Sequence, residues 1–329
     1  MEQVVERIFN ESIISQGAEL FLIENNSLSK IGDFENYIFS GLRNGTPVVL
    51  RFTHSSHRSH EQVKAEIEWV DYLHKNGISV YEHFHSKQAA LSEALTAEDG
   101  TQFFVCCYEK MPGANLKWSE FKENPELIEL WGEAIGGMHS VTKNYEVRPG
   151  VPKRPDWDEE DLLDIEKYMP NVEGDIVEYR NSILNEIRGL TKNKDTYGMI
   201  HSDLHLGNFH YHEGKLYLFD FDDCSYHFFA SDIAIPLYYT CMARGFSEKE
   251  GMDDFGAEFL KNFLKGYNKF HSVSEEVIQS IPLFLRLRDV VLLSVVYKKF
   301  DLNNLSQNEK NFFDSVYNRV KSRKTIVQL

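Results

Sequence analysis

The alternation of apolar and polar positions changes character about a third of the way along the chain. In the first third, short β-prone runs dominate. FLIENNSLSKIG (Phe21–Gly32) and ENYIFSGL (Glu35–Leu42) read as strands leading to RNGT (Arg43–Thr46) and then PVVLRF (Pro47–Phe52). Asn44–Gly45 between two such runs predicts a hairpin, because both residues tolerate positive φ. In Ser59–Gly77 the period shifts to that of a helix: Val63, Ile67, Val70 and Leu73 form one apolar stripe, with Ser59 placed to cap its start and Gly77 to end it. ISVYEHF (Ile78–Phe84) and TQFFVCCYEK (Thr101–Lys110) read as two further strands with a polar excursion between them.

After MPGANL (Met111–Leu116) the pattern is helical. Helices are expected within Pro125–Val141, Glu159–Met169, Gly174–Leu190, Asp232–Ala243, Phe255–Phe270, Glu275–Phe300 and Asn308–Val320. VRPGVPKRPDW (Val147–Trp157), with three prolines, reads as a surface connection. One strand pair stands out in this half: Phe209 and Tyr211 alternate with His210 and His212, Glu213–Gly214 makes a turn, and Leu216 and Leu218 alternate on the return. Strands first and helices later predict an α+β protein of two lobes, a strand-rich 1–110 and a mostly helical 111–329, hinged near Glu109–Gly113.

Composition narrows the classes. The chain has 329 residues, 42% of them hydrophobic and 13% aromatic, which suits a packed globular protein. The longest apolar run, VVLLSVVY (Val290–Tyr297), falls far short of the roughly 18 residues of a membrane span. The acidic N-terminal stretch has no apolar signal core, so a cytoplasmic location is expected. Cys106, Cys107, Cys224 and Cys241 contain no C-x-x-C pair, which argues against a zinc ribbon or disulfide framework and fits a reducing compartment. A net charge of −16 opposes nucleic-acid binding and is compatible with a cationic or amine-bearing partner. The one basic run, Arg319–Lys324, reads as a solvated helix end.

The chemistry concentrates in HSDLHLGNFHYHEGKLYLFDFDD (His201–Asp223), which holds four histidines and four aspartates. If His212 faces Lys215, the hairpin brings Asn208 beside Phe219 and next to Asp220. Both are hard oxygen donors of the kind Mg²⁺ takes. Asp203, in a loop containing Gly207, can reach the same place. Phosphoryl transfer needs this set: a carboxylate to orient the acceptor hydroxyl, oxygen ligands for the metal on the nucleotide phosphates, and little else beyond positioning. The rival is a histidine-ligated metal, since His201 and His205 are spaced i, i+4; Gly207 and the flanking strand signals argue against a helix there.

HSDLHLGN, followed by LFDFDD and SDIA, resembles the aminoglycoside phosphotransferase/choline kinase-like family of the protein-kinase-like fold, with the Asp-Phe-Asp-Asp string most similar to homoserine-kinase-like and stress-response-kinase-like members. The resemblance implies an ATP- and Mg²⁺-dependent kinase in which Asp203 is the catalytic base, Asn208 and Asp220 hold magnesium, and Asp232 supports the catalytic loop. His201 and His205 are expected to hydrogen-bond the loop backbone and fix the geometry around Asp203, and His210 and His212 to be exposed on the hairpin. Asp222 stands where protein kinases have the glycine of Asp-Phe-Gly, and its role stays open. More weakly, Gly32 marks the nucleotide-covering turn, and Arg51 occupies the place of the phosphate-pairing lysine. Glu66, with Glu68 as second choice, is its helix partner. Tyr108, Glu109 and Lys110 form the hinge whose backbone meets adenine, and His139 ends a family helix.

The few residues between Asp223 and Asp232 leave no room for a peptide-docking activation segment, so a small-molecule hydroxyl is the expected acceptor. RPDWDEEDLLD (Arg154–Asp164) could receive an ammonium group or be a solvated acidic helix start. Two alternatives remain: a protein Ser/Thr kinase of the stress-response type, and a nucleotide-binding regulatory module with little activity, the latter suggested by Arg51.

Overall fold

The computed structural model describes residues 3–24, 26–245 and 250–329, an α+β chain of two compact units. The first takes in residues through Ala114 together with Tyr145–Arg154 and His210–Asp222; the second takes in Asn115–Asn144, Pro155–Phe209 and Asp223–Leu329.

The first unit opens with two helices that the apolar pattern did not announce, α1 (Gln3–Ile8) and α2 (Glu11–Leu20). Asn10 starts α2 by accepting hydrogen bonds from the backbone N–H groups of Ser12 and Ile13. The expected strand over Phe21–Gly32 is cut down to β1 (Ser29–Gly32), and Asn25 of that stretch lies outside the described residues. β2 (Tyr37–Arg43) and β3 (Thr46–His54) pair around Asn44–Gly45, whose φ values of 50° and 75° give the expected tight turn. α3 (His60–Lys75) follows, with Ser59 and Gln62 forming a reciprocal capping box and Gly77 just past the end at φ 83°.

β4 is only His83–Phe84, much shorter than the expected Ile78–Phe84 strand; Val80 bridges instead to Leu218. β5 (Ser92–Thr96) lies inside what read as a polar excursion, and β6 (Gln102–Glu109) is where the sequence puts it. The sheet is antiparallel, in the order β1-β2-β3-β6-β4, with β5 also paired to β6.

β3 is buried along nearly its whole length because both its faces are covered. Val48, Leu50 and Phe52 point to a core shared with Val5, Ile13, Phe21 and Phe103. Strand alternation then turns Arg51 to the opposite face, toward α3. The α3 stripe Val63, Ile67, Val70 and Leu73 is fully buried. At about 1.5–3 kcal/mol per large apolar side chain, that stripe fixes the helix against the sheet and sets the position of Glu66.

The second unit is mostly helical: α4 (Trp118–Glu123), α5 (Pro125–Thr142), α6 (Ile165–Tyr168) and α7 (Gly174–Arg188) come before its first strand. The helix expected over Glu159–Met169 is instead two single 3-10 turns, Trp157–Glu159 and Asp161–Leu163, followed by the four-residue α6. Leu163 and Ile165 are both buried, and residues two apart cannot share a face of one helix. Asp164 between them leaves the helical region with ψ 74°. A strand pair missed in the sequence, β7 (Tyr197–Ile200) with β10 (Ser225–Phe228), frames the loop of interest; the two strands are far apart in the chain and no turn signal joins them. Between them in sequence, β8 (Phe209–His212) and β9 (Lys215–Leu218) pair around Glu213–Gly214, both at positive φ, and from His210 on this hairpin belongs to the first unit. α8 (Phe229–Gly245), α9 (Met252–Tyr267), α10 (Glu275–Lys299) and α11 (Gln307–Ser322) complete the second unit.

α5 and α9 touch backbone to backbone. A Cβ at Gly132 would lie 1.9 Å from the Phe263 carbonyl oxygen, and one at Gly266 would lie 1.8 Å from that of Glu129. No side-chain rotation relieves such a clash. Alanine is intrinsically better than glycine in a helix by about 1 kcal/mol, yet overpacking here costs about 1–3 kcal/mol or more. Gly132→Ala and Gly266→Ala are therefore expected to lower the free energy of urea unfolding. Stabilisation by either would show that the helices are not in backbone contact.

Candidate active site

The second unit carries the loop that follows β7. Asp232, in the first turn of α8, is fully buried. Its carboxylate accepts the backbone N–H of His201 at 2.9 Å and of Ser202 at 2.8 Å, and Nε2–H of His139 at 3.1 Å. His139 in turn accepts the Tyr267 hydroxyl at 2.7 Å. Burial pushes the Asp232 carboxyl up, but the His139 hydrogen bond, the His139 and His201 rings and the His201 N–H together hold it below its ordinary value. Ser202 is at φ 70°, a left-handed conformation unusual for serine, which the two hydrogen bonds impose.

That turn presents Asp203. Its backbone carbonyl accepts from His205 N–H at 2.8 Å and from the Asn208 side-chain amide at 2.9 Å. With its NH₂ committed there, Asn208 has its amide oxygen turned away from the Asp203 carbonyl. His201 is buried and accepts the Asp203 N–H; His205 accepts the Gly207 N–H at 2.9 Å. Asn115 donates to the Gly207 carbonyl at 3.0 Å and closes the loop. Both histidines thus shape the backbone, and among the described residues no three His, Cys, Asp or Glu side chains gather as a metal cluster.

The Asp203 carboxylate pairs with Arg288 of α10 at 2.5 Å and lies 3.5 Å from His205 Nε2. Burial raises its pKa, and the Arg288 charge with the two histidines more than offsets this, so the group titrates below its usual value. Arg288 also donates to the Tyr239 hydroxyl. Neither Arg288 nor Tyr239 was singled out in the sequence. The available signal was a charged Arg288–Asp289 pair inside an apolar helical run.

The first unit holds the other candidates. Arg51 and Glu66 form a two-pronged ion pair at 2.6 and 2.7 Å, with side chains 2% and 1% exposed. Burial works against the Arg51 charge, and the neighbouring Cys106 together with the Glu66 carboxylate more than restores it. Glu68 faces elsewhere, to the Tyr145 hydroxyl and to Arg148 at 3.0 Å. Tyr108 is buried and stacks on Tyr81 with ring centroids 4.1 Å apart. The backbone N–H groups of Glu109 and Lys110 donate to Glu82 and Pro47, and the Lys110 amine donates to Ser40. Gly32 ends β1 beside an irregular register step, and a Cβ there would make only ordinary contact with Ile38.

Asp220 is exposed at φ 64°. Phe221 next to it is buried edge-on against Trp69 and Tyr81. Asp222 is buried; its carboxylate accepts from His57 at 2.6 Å and faces Arg58 at 3.3 Å, while its backbone carbonyl accepts from Arg154 at 2.7 Å. Burial alone would raise the Asp222 pKa, but Arg58 first, then His57 and Arg51, drive it well down.

The acidic stretch beginning at Asp156 is occupied by neighbours: Asp156 meets Tyr197 and Lys192, Asp158 meets Arg188, and Asp161 meets Lys167 and Tyr168. The stretch is two 3-10 turns and not the start of a helix.

Removing the Asp232 carboxylate strands two buried N–H groups and His139. Asp232→Ala is expected to cost roughly 3–5 kcal/mol at neutral pH, measured by urea unfolding. Because the folded-state pKa lies below the reference value of 3.8, the benefit is complete above that pH and is lost as pH falls through the folded-state value. The gap between wild type and variant should therefore narrow only below about pH 4; a gap that closes on going from pH 7 to 5 would contradict this.

Residues 28–275 match the family described as "Phosphotransferase enzyme family". The chain is 34% identical over 309 residues to the amicoumacin kinase of Bacillus subtilis (strain 168), covering 93% of this chain and 90% of that one. An amicoumacin kinase solved in complex with AMP-PNP, Ca²⁺ and Ami superposes with a TM-score of 0.93 at 31% identity, over 100% of this chain and 98% of that chain. The choline kinase LicA from Streptococcus pneumoniae shares the fold, at 16% identity and a TM-score of 0.57 over 97% of this chain and all of that one. With an α+β, protein-kinase-like architecture and a family match across most of its length, the chain belongs to the phosphotransferase enzyme family.

Proposed function

We propose that this protein moves the γ-phosphoryl group of ATP to a hydroxyl of a small molecule, with Asp203 as the base and a magnesium ion on the nucleotide phosphates. The observation that carries the reading is the loop around Asp203: one backbone carbonyl, fixed by His205 and Asn208, sets the carboxylate and the Asn208 amide in a single geometry. In the step proposed, the acceptor hydroxyl gives its proton to Asp203 as its oxygen bonds to the γ-phosphorus, and the bond from phosphorus to the ADP oxygen breaks.

The donor set suits a hard divalent cation: an amide oxygen from Asn208 and a carboxylate from the exposed Asp220. When bound, magnesium would offset the negative charge of the phosphates. Arg51, held as a fork by Glu66, is the candidate to meet the nucleotide phosphates in place of lysine. A fully formed ion pair at this position speaks against a degenerate, inactive module. Backbone at Tyr108, Glu109 and Lys110 is the candidate adenine edge, and Gly32 the candidate covering turn.

A small-molecule acceptor is favoured over a protein. Between Asp223 and the start of α8 there are only Cys224 and the four-residue β10, too little for a peptide-docking segment. Among acceptors, amicoumacin comes first, because it names the activity of a relative that matches nearly end to end.

The test is acceptor-dependent ADP release across a panel of amicoumacin, aminoglycosides, choline and amino alcohols. Turnover with at least one hydroxyl acceptor is expected. Asp203→Asn should lower kcat about 10²–10⁴-fold while nucleotide binding persists. Wild-type turnover in Asp203→Asn would remove Asp203 from the role of base.

A further inference from the structure

Helix α10 places two charged residues in succession, and they are treated very differently. Asp289 is saturated: Arg319 reaches it at 2.7 Å and the Tyr238 hydroxyl at 2.7 Å, tying α11 and α8 to α10. Arg288 lies about 100° around the helix from it. Its Nη2 donates to Asp203 Oδ1 at 2.5 Å and also to the Tyr239 hydroxyl, and its guanidinium carbon lies 5.1 Å from the Tyr239 ring centre. Its Nε is buried and has no hydrogen-bond partner among the described residues. An unpaired buried Nε also occurs at Arg43, Arg51 and Arg180, so what sets Arg288 apart is where Nη2 goes: to one oxygen of the Asp203 carboxylate and to the Tyr239 hydroxyl, with the Asp223 charge also acting on it.

The other carboxylate oxygen, Oδ2, has a different environment. The nearest cationic candidate is His205 Nε2 at 3.5 Å, beyond good hydrogen-bond distance. His205 is itself held by the Gly207 N–H, and its ring lies 5.0 Å from that of Tyr239. The two oxygens of Asp203 are thus inequivalent: Oδ1 is clamped by Arg288, and Oδ2 has only His205 Nε2 near it, at 3.5 Å. An aspartate's last torsion is broad, so a carboxylate held only by its own loop samples many orientations. A base must keep one oxygen within hydrogen-bond reach of the proton it takes.

We propose that Arg288, steadied by Tyr239, is a positioning residue that clamps Asp203 through Oδ1 and leaves Oδ2 as the oxygen that receives the acceptor's proton. The inference rests on the reading of Asp203 as the base and adds to it a division of labour between the two oxygens. It also gives α10 a part in the reaction, since the clamp comes from 85 residues along the chain.

The experiment measures kcat and nucleotide KM for full-length Arg288→Met, Arg288→Lys and Tyr239→Phe, and for Asp203→Asn alone and combined with Arg288→Met. Arg288→Met is expected to lower kcat on the order of 10²-fold, the effect of misplacing a reacting group by about an ångström, with nucleotide KM unchanged. Arg288→Lys, which keeps the charge and loses the fork, should recover part of the loss, and added guanidinium ion should partly restore Arg288→Met. On the Asp203→Asn background Arg288→Met should have little further effect, because the two act as a unit.

Wild-type kcat in Arg288→Met, or a loss that multiplies undiminished on the Asp203→Asn background, overturns the proposal. Should Arg288→Met fail to fold, wild-type kcat in both Arg288→Lys and Tyr239→Phe overturns it equally. Failure of the base reading looks different: the wild type turns over and Asp203→Asn does so at the same rate.

Discussion

A buried carboxylate dictates the geometry of the loop that carries Asp203. Asp232 lies with no access to water, so it must be supplied with hydrogen-bond donors, and the fold gives it three: His139 and the backbone of His201 and Ser202. Those bonds hold Ser202 in the left-handed region, and the chain leaves it pointing Asp203 toward Arg288. Even the helix packing serves this arrangement. Gly132 and Gly266 let α5 and α9 meet backbone to backbone, which puts His139 of one helix 2.7 Å from Tyr267 of the other. The same contact orients His139 toward Asp232.

The first unit has its own buried charge problem. Arg51 reaches the α3 face of the sheet by simple strand alternation, and Glu66 comes from the helix packed on that face. Burying such a pair adds little net stability, because desolvation cancels most of the attraction. The pair therefore adds specificity of packing between β3 and α3 more than net stability, in a strand that also buries Thr53 and His54. Asp222 follows the same logic: a buried acid surrounded by His57, Arg58 and Arg154 joins the Asp-Phe-Asp-Asp segment to the connection after β3 and to the proline-rich connection.

Much of this was legible in the sequence, and the part that was not has physical reasons. The α3 stripe, its Ser59 cap and the Asn44–Gly45 turn are local signals, and they read through directly. The order Asp203, Asn208, Asp220 with Asp232 beyond was the sequence's pointer to the family that the comparisons show, and the roles of these residues are proposed. The short strands β5, β7 and β10 were missed: β8 and β9 are equally short but are joined by the Glu213–Gly214 turn, whereas β7 and β10 pair across a long separation with no turn between them, and β5 sits in a stretch that is polar overall. The Glu159–Met169 stretch looked helical by composition, but burying both Leu163 and Ile165 broke it into turns. Arg288, Tyr239 and His57 could not be assigned from spacing, since each meets its partner across a long separation that only the tertiary fold closes.

The central claim is that the phosphoryl group ends on a hydroxyl of a small molecule. Mass spectrometry and phosphorus NMR of the mixture after incubation with ATP, magnesium and amicoumacin test it most directly. The account predicts a single phosphate ester on the antibiotic or on another hydroxyl acceptor of the panel, formed in step with ADP. Phosphate recovered only on protein, or only as free phosphate with every acceptor unmodified, would contradict it.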